Sequence, residues 1–267
     1  MNDNSVVRLE RDGDIAVIVI DSPSPAVLST AARSGLNSAL TDLADLADIR
    51  GILLRSAGSL EAQGSWTSAE DHALLNRIEQ LQQPVLALID GNAFGAGLEF
   101  SLACHYRAAT PTARFGLPQI TLGSIPGAGG TQRLPRLIGI EQTLQLVLSA
   151  QPVDAATALR LGFIDSILEG EPIPAGLAYL RSLIETGKGA RRTCDMTVPA
   201  DSVSDEILRN AALQANQMYP TGITPFTAIK AISASARLGF ERGLQYEAEL
   251  LQACHRRRDA EPPAKAT

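Results

Sequence analysis

Cysteine, histidine and aromatic side chains are scarce in this sequence. Its 267 residues include three cysteines, three histidines and one tryptophan, and Phe, Trp and Tyr together make 4%. Cys104, Cys194 and Cys254 lie far apart and form no CxxC pair, so they read as small buried hydrophobes of a reducing compartment, not a disulfide framework. Three histidines among scattered carboxylates show no ligand spacing, and no metal is expected. Positive charge is also short. Lys and Arg number 23 against 29 Asp and Glu, and the net charge of -6 opposes non-specific contact with nucleic acid. Nowhere do roughly eighteen apolar residues run uninterrupted, which predicts no membrane span. The first twenty residues carry acidic groups before a short apolar run and lack a secretion signal, so a cytoplasmic protein is expected.

What remains is ordinary globular composition, 45% hydrophobic and 19% charged, in a chain long enough for one large domain or a core with an appendage. Residues 6–10 and 15–20 flank Arg11-Asp12-Gly13-Asp14 and predict a β-hairpin. Pro23, Ser24 and Pro25 then break the chain. Ser29-Thr30 can cap a helix over 31–46, where Leu36, Leu40, Leu43 and Leu46 recur at helical spacing. A buried strand is expected at 51–54, a loop at 56–68, a helix at 74–81 ended by Pro84, and a second buried strand at 85–89. Near-continuous apolar strands alternating with helices imply α/β layering. From Asp154 the pattern turns helical, with three helices expected at 202–218, 224–236 and 240–254. Glu171-Pro172-Ile173-Pro174 is the linker candidate, dividing a core at 1–170 from a helical region at 171–267. The tail 256–267 is expected to fray.

Two segments carry the chemistry. The first is Asp90-Gly91-Asn92-Ala93-Phe94-Gly95-Ala96-Gly97-Leu98-Glu99, directly after a buried strand. Small residues there let a backbone N–H approach a ligand. A helix starting near Gly97 would favour developing negative charge at its N-terminus and place Glu99 in its first turn. A tight turn with a capping glutamate is the plainer alternative. The segment is not GxGxxG and no P-loop lysine follows, so nucleotide-phosphate motifs are not met. The second segment runs from Phe115-Gly116-Leu117-Pro118-Gln119 through Gly123 to Pro126-Gly127-Ala128-Gly129-Gly130-Thr131-Gln132-Arg133-Leu134.

Together these segments resemble the GxGxE and FGxPExxxGxxPGxGGTQRL signatures of the enoyl-CoA hydratase/isomerase (crotonase) family. The likeness is greatest to the N-terminal half of multifunctional β-oxidation enzymes, whose GGGLELALGCHYR is similar to the stretch from Leu98-Glu99 to Cys104-His105-Tyr106-Arg107. The resemblance implies an α/β fold, a spiral of ββα units with a helical C-terminal oligomerisation region that forms trimers or hexamers. It implies an acyl-CoA thioester substrate, with coenzyme A as the substrate carrier and no tightly bound cofactor. The oxyanion-hole N–H groups would be those of Gly64 and Ala96. Trp66, Gly95, Gly97, Leu117, Pro126 and Gly127 would line the substrate pocket. The two catalytic glutamates would fall on Glu99 and on position 119, which here is Gln119. An amide can hold water but cannot take its proton at neutral pH.

Further departures are Ala62-Gln63-Gly64-Ser65-Trp66 where the family has AGAD, a shortened loop after it, and Ala26 in place of an asparagine. Trp66 either packs at the loop root or walls the acyl site. His72 reads as a surface residue of that loop, and Cys104-His105 as adjacent helical residues pointing apart. The basic run 256–258 reads as solvated charge. Three functions stay open: water addition to or removal from an enoyl-CoA; a divergent reaction on an acyl-CoA such as hydrolysis, decarboxylation, isomerisation or C–C cleavage; or an inactive acyl-CoA-binding subunit that partners another crotonase chain.

Overall fold

A computed structural model of the chain describes residues 6–21, 29–46, 48–56, 59–61, 66–199 and 202–260. In chain order the elements are β1 Val7–Asp12, β2 Ile15–Ile20, α1 Thr30–Asp42, β3 Gly51–Ser56, β4 Leu60–Glu61, α2 Ala69–Glu79, β5 Val85–Ile89, β6 Asn92–Phe94, α3 Ala96–Leu102, β7 Tyr106–Ala109 and β8 Arg114–Gly116. A 3-10 turn Pro118–Leu122 leads to α4 Gly130–Ile138 and α5 Ile140–Ser149. Then come β9 Val153–Asp154, α6 Ala155–Leu161, β10 Ser166–Ile167, α7 Pro172–Glu185, α8 Asp205–Met218, α9 Thr224–Ala234 and α10 Phe240–Ala260.

The strands form two sheets. The larger runs β1-β2-β3-β5-β7-β10 and is parallel throughout except for the β1–β2 hairpin. Every residue of β2 and β5 is buried, as parallel strands covered on both faces require. The smaller sheet runs β4-β6-β8-β9. Each central strand of the large sheet feeds a short strand of the small sheet and then a helix: β3-β4-α2, β5-β6-α3, and β7-β8 followed by the 3-10 turn and α4. That repeated advance is the spiral of ββα units. The last three helices pack together, α9 against α5, α8 and α10, and α10 also reaches α4.

Local chemistry explains most boundaries. The hairpin turns at Gly13, φ 60°, with Asp12 opposite Ile15. The Ser29 hydroxyl accepts from the Ala32 N–H at 3.2 Å and starts α1. Helix α2 begins five residues before the expected 74, because Ser68 and Asp71 form a reciprocal capping box at 3.1 and 3.0 Å. Within the expected loop 56–68, Leu60–Glu61 pairs with β6. The expected linker at 171–174 is instead the N-cap and first turn of α7, with Pro172 at a position where a missing N–H is harmless. Helix α7 lays Leu177, Leu180 and Leu183 on the large sheet. The basic run 256–258 continues α10, which extends to Ala260, whereas the tail was expected to fray.

Candidate active site

The turn from β6 into α3 admits little but glycine. Gly95 adopts φ 55° and ψ −125°, a conformation that side chains with a Cβ avoid. Its N–H donates to the Gly116 carbonyl at 2.9 Å, fastening the turn to β8. At Gly97 a Cβ would stand 1.8 Å from the Leu60 carbonyl oxygen, so the first turn of α3 lies against β4 at backbone distance. Ala96 occupies the first position of α3 and is 8% exposed. First-turn N–H groups have no partner within their own helix. Gly64, with Ala26 and the whole of 62–65, lies outside the described residues.

Glu99 sits in that first turn, 2% exposed. Its Oε1 accepts from the N–H groups of Ala128 and Gly130, both at 2.8 Å, and its Oε2 accepts from the Gln119 amide at 2.9 Å. Glu99 and Gln119 are twenty residues apart, and the parallel β6–β8 pairing brings them together. Burial pushes the Glu99 carboxyl up to about 8, the negative charge of Glu247 adds to this, and the turn amides oppose it. The Gln119 Oε1 is buried and has no hydrogen-bond partner in the described residues. A buried acceptor left open beside a carboxylate suits a water or a substrate hydroxyl.

Around this pair, Leu117 is fully buried at the start of the 3-10 turn. A Cβ on Gly127 would meet Leu251 of α10 at 2.5 Å and Thr67 at 3.1 Å, so α10 closes down on this turn. Trp66 is 1% exposed, edge-on to Phe100 at 5.7 Å, with the Arg33 guanidinium over its ring. His72 is half-buried in the first turn of α2, where the expected surface loop would have left it in solvent. Its Nε2 is buried without a hydrogen-bond partner in the described residues, and burial lowers its pKa. His105, expected on a helix, lies between α3 and β7. Its Nδ1 accepts from the Val85 N–H at 3.0 Å and its Nε2 meets the Glu79 carbonyl at 2.9 Å, which makes it a core strut. Arg257 and Arg258, with Lys230, line a cavity of about 620 Å³ beside Ile120 and Gly123 that does not include Glu99.

Sequence reasoning missed two buried groups. Glu247 on α10 is 0% exposed and bonds the same 128–131 turn as Glu99. Its signal was a carboxylate on the face set by Leu244 and Leu251, at helical spacing. Arg133, 1% exposed, holds the Ala128 carbonyl at 3.1 Å and Glu79 at 2.8 Å.

Comparisons with known proteins agree with this fold. The sequence profile of the enoyl-CoA hydratase/isomerase family matches residues 10–222. The peroxisomal bifunctional enzyme of Cavia porcellus is 31% identical over 242 residues, covering 86% of this chain and 33% of the relative. That of Danio rerio is 34% identical over 245 residues, covering 89% and 34%. The chain thus spans about a third of the length of these relatives. Among solved structures, a carnitinyl-CoA dehydratase from Mycobacterium thermoresistibile superposes with a TM-score of 0.69 at 20% identity, covering 94% of this chain and 86% of that one. At that identity the likeness is one of fold. An enoyl-CoA hydratase from Bacillus anthracis superposes with a TM-score of 0.59 at 25% identity, covering 96% and 93%. Among the described residues, no helix is long and apolar enough to cross a membrane.

Proposed function

The chain belongs to the enoyl-CoA hydratase/isomerase family, and from that premise we propose that it adds water to, or removes it from, an α,β-unsaturated acyl-CoA. The observation that carries this reading is Glu99, buried at the N-terminus of α3, fixed by two amides and in contact with Gln119. In hydration, a water held by the open Gln119 Oε1 attacks Cβ while ionised Glu99 takes its proton. The thioester oxygen becomes an enolate oxygen, held by the Ala96 N–H and by the Gly64 N–H that the family resemblance implies. Glu99 then returns the proton to Cα. One carboxylate closes the proton balance, because the proton it takes from water is the one it delivers. Gln119 orients the water and moves no proton. Coenzyme A serves as the substrate carrier, and no tightly bound cofactor takes part. Trp66, Gly95, Gly97, Leu117, Pro126 and Gly127 form the walls in this reading.

The amide at 119 also supports a second reading, a different reaction on the same acyl-CoA frame, or an acyl-CoA-binding subunit that needs a crotonase partner. Incubation with crotonyl-CoA and a longer trans-2-enoyl-CoA, followed by loss of enoyl absorbance and product analysis, separates these. Formation of a 3-hydroxyacyl-CoA is the expected result. A free acid, a shortened acyl chain or a shifted double bond would replace hydration by the divergent reaction. Tight CoA binding without turnover, relieved by Gln119→Glu or by a second crotonase chain, would make it a partner subunit. Exposed Leu213, Met218 and Ile223 on and after α8 support assembly into a homotrimer or hexamer, and a monomer in sedimentation would remove that part of the proposal.

A further inference from the structure

Glu247 is a fully buried carboxylate that the proposed reaction does not use. It reaches from α10 into the turn that opens α4. The Gly129 N–H donates to its Oε1 at 2.7 Å, and Thr131 donates to its Oε2 through its N–H at 3.0 Å and its hydroxyl at 2.5 Å. The Gln132 amide donates to that hydroxyl at 2.9 Å, which leaves the hydroxyl hydrogen for Glu247. Glu99 takes the other two amides, those of Ala128 and Gly130. Four successive N–H groups therefore serve two carboxylates in alternation.

Two negative charges at one helix N-terminus, both out of water, are too many for that turn. The helix dipole and the turn amides offset only part of the cost of taking two charges out of water. The nearby cation Arg133 is engaged by Glu79 and by the Ala128 carbonyl. Burial lowers the pKa of His72 on α2, which disfavours its cationic form, and Lys230 on α9 and Glu241 and Glu249 on α10 are exposed.

We infer that Glu247 is a positioning residue for Glu99: the two carboxylates share one proton across the 128–131 turn, and a charge on Glu247 strengthens the hold of Glu99 on that proton. Its consequence for turnover rests on Glu99 being the proton-transfer group; the shared proton does not. Burial pushes both groups up, Glu99 to about 8 and Glu247 to about 7, and they titrate as a pair.

Infrared difference spectra between each protein and its Glu99→Gln counterpart isolate the protonated Glu99 carboxyl. In the parent its band should vanish as pH rises through about 8. With Glu247→Gln the like charge is gone, and the transition should move down by about one pH unit. The acid limb of the hydration profile, which reports ionised Glu99, should move down with it. Thr131→Val gives the same direction should Glu247→Gln fail to fold, since losing the hydroxyl favours neutral Glu247. An unmoved carboxyl transition in the folded variants would reduce Glu247 to packing and overturn the proposal. If Glu99→Gln retains turnover, the proposed reaction fails, and the band still decides the shared proton.

Discussion

Glu99→Gln is expected to lower turnover about 10²–10⁴-fold, the range set by loss of a positioned acid–base group, while the fold survives. The amide retains an oxygen for the Ala128 and Gly130 N–H groups, at the place where Glu99 Oε1 accepts them at 2.8 Å. Its nitrogen then faces Gln119, whose amide can turn so that its open Oε1 accepts. The variant also removes a buried charge. In the parent, the folded Glu99 carboxyl titrates at about 8, above its ordinary value of 4.5. Between those values the folded chain holds a proton that the unfolded chain has released. The stability this proton contributes is complete below the lower value and lost as pH rises through the higher. The amide has no such dependence. Its Tm relative to the parent should therefore rise from about pH 5 to about pH 9 even as activity is gone. Assays of rate and Tm on one preparation check both halves, and undiminished turnover would remove Glu99 from the chemistry.

The same residue shows why the centre of the site was legible in the sequence. Glu99 and Gln119 stand shortly after the short strands β6 and β8, in the first turn of α3 and in the 3-10 turn, and a motif records which residues stand there. What the motif does not record is how β6 and β8 pair to join them, since strands of three residues carry too little alternation to be read. β4 and β9 escaped for the same reason. The large sheet was readable because β2 and β5 are continuous apolar runs of six and five residues. Helix α2 was entered late because its cap uses Asp71 where the usual signature has Glu or Gln. The proline pair in 171–174 suits both a linker and a first helical turn, and only the apolar face that follows in α7 decides between them.

Glu247 was hidden by distance. It stands 148 positions beyond Glu99 (247 − 99), and nothing local to α10 announces which turn it enters. A charge on an apolar face is a usable signal, but periodicity alone cannot name its partner. His105 was misplaced because α3 ends at Leu102, where Arg107 takes the carbonyls of Ser101 and Cys104 and turns the chain into β7.

Arg133→Ala should destabilise the fold by about 3–5 kcal/mol, the penalty for leaving a buried charge without its partner, or roughly 10 °C in Tm for a chain of this size. Glu79, 1% exposed, accepts the Arg133 Nε at 3.2 Å and Nη2 at 2.8 Å, and its other oxygen accepts from the Cys194 N–H at 2.9 Å. Without the guanidinium that carboxylate remains in the core. The guanidinium also packs over Phe240, 5.0 Å from the ring centre, and holds the Ala128 carbonyl, so the peptide whose neighbour serves Glu99 loses its anchor on the far side. Removing both charges separates the two effects. In Arg133→Met with Glu79→Leu no charge is stranded, and stability should recover most of the loss. Turnover should not recover with it, because the Ala128 carbonyl is still unheld. Denaturation of the single and double variants beside their rates checks this. Equal stability of Arg133→Ala and the parent would mean that Glu79 finds a proton or water, and recovery of rate in the double variant would mean that the 128–131 turn needs no hold from Arg133.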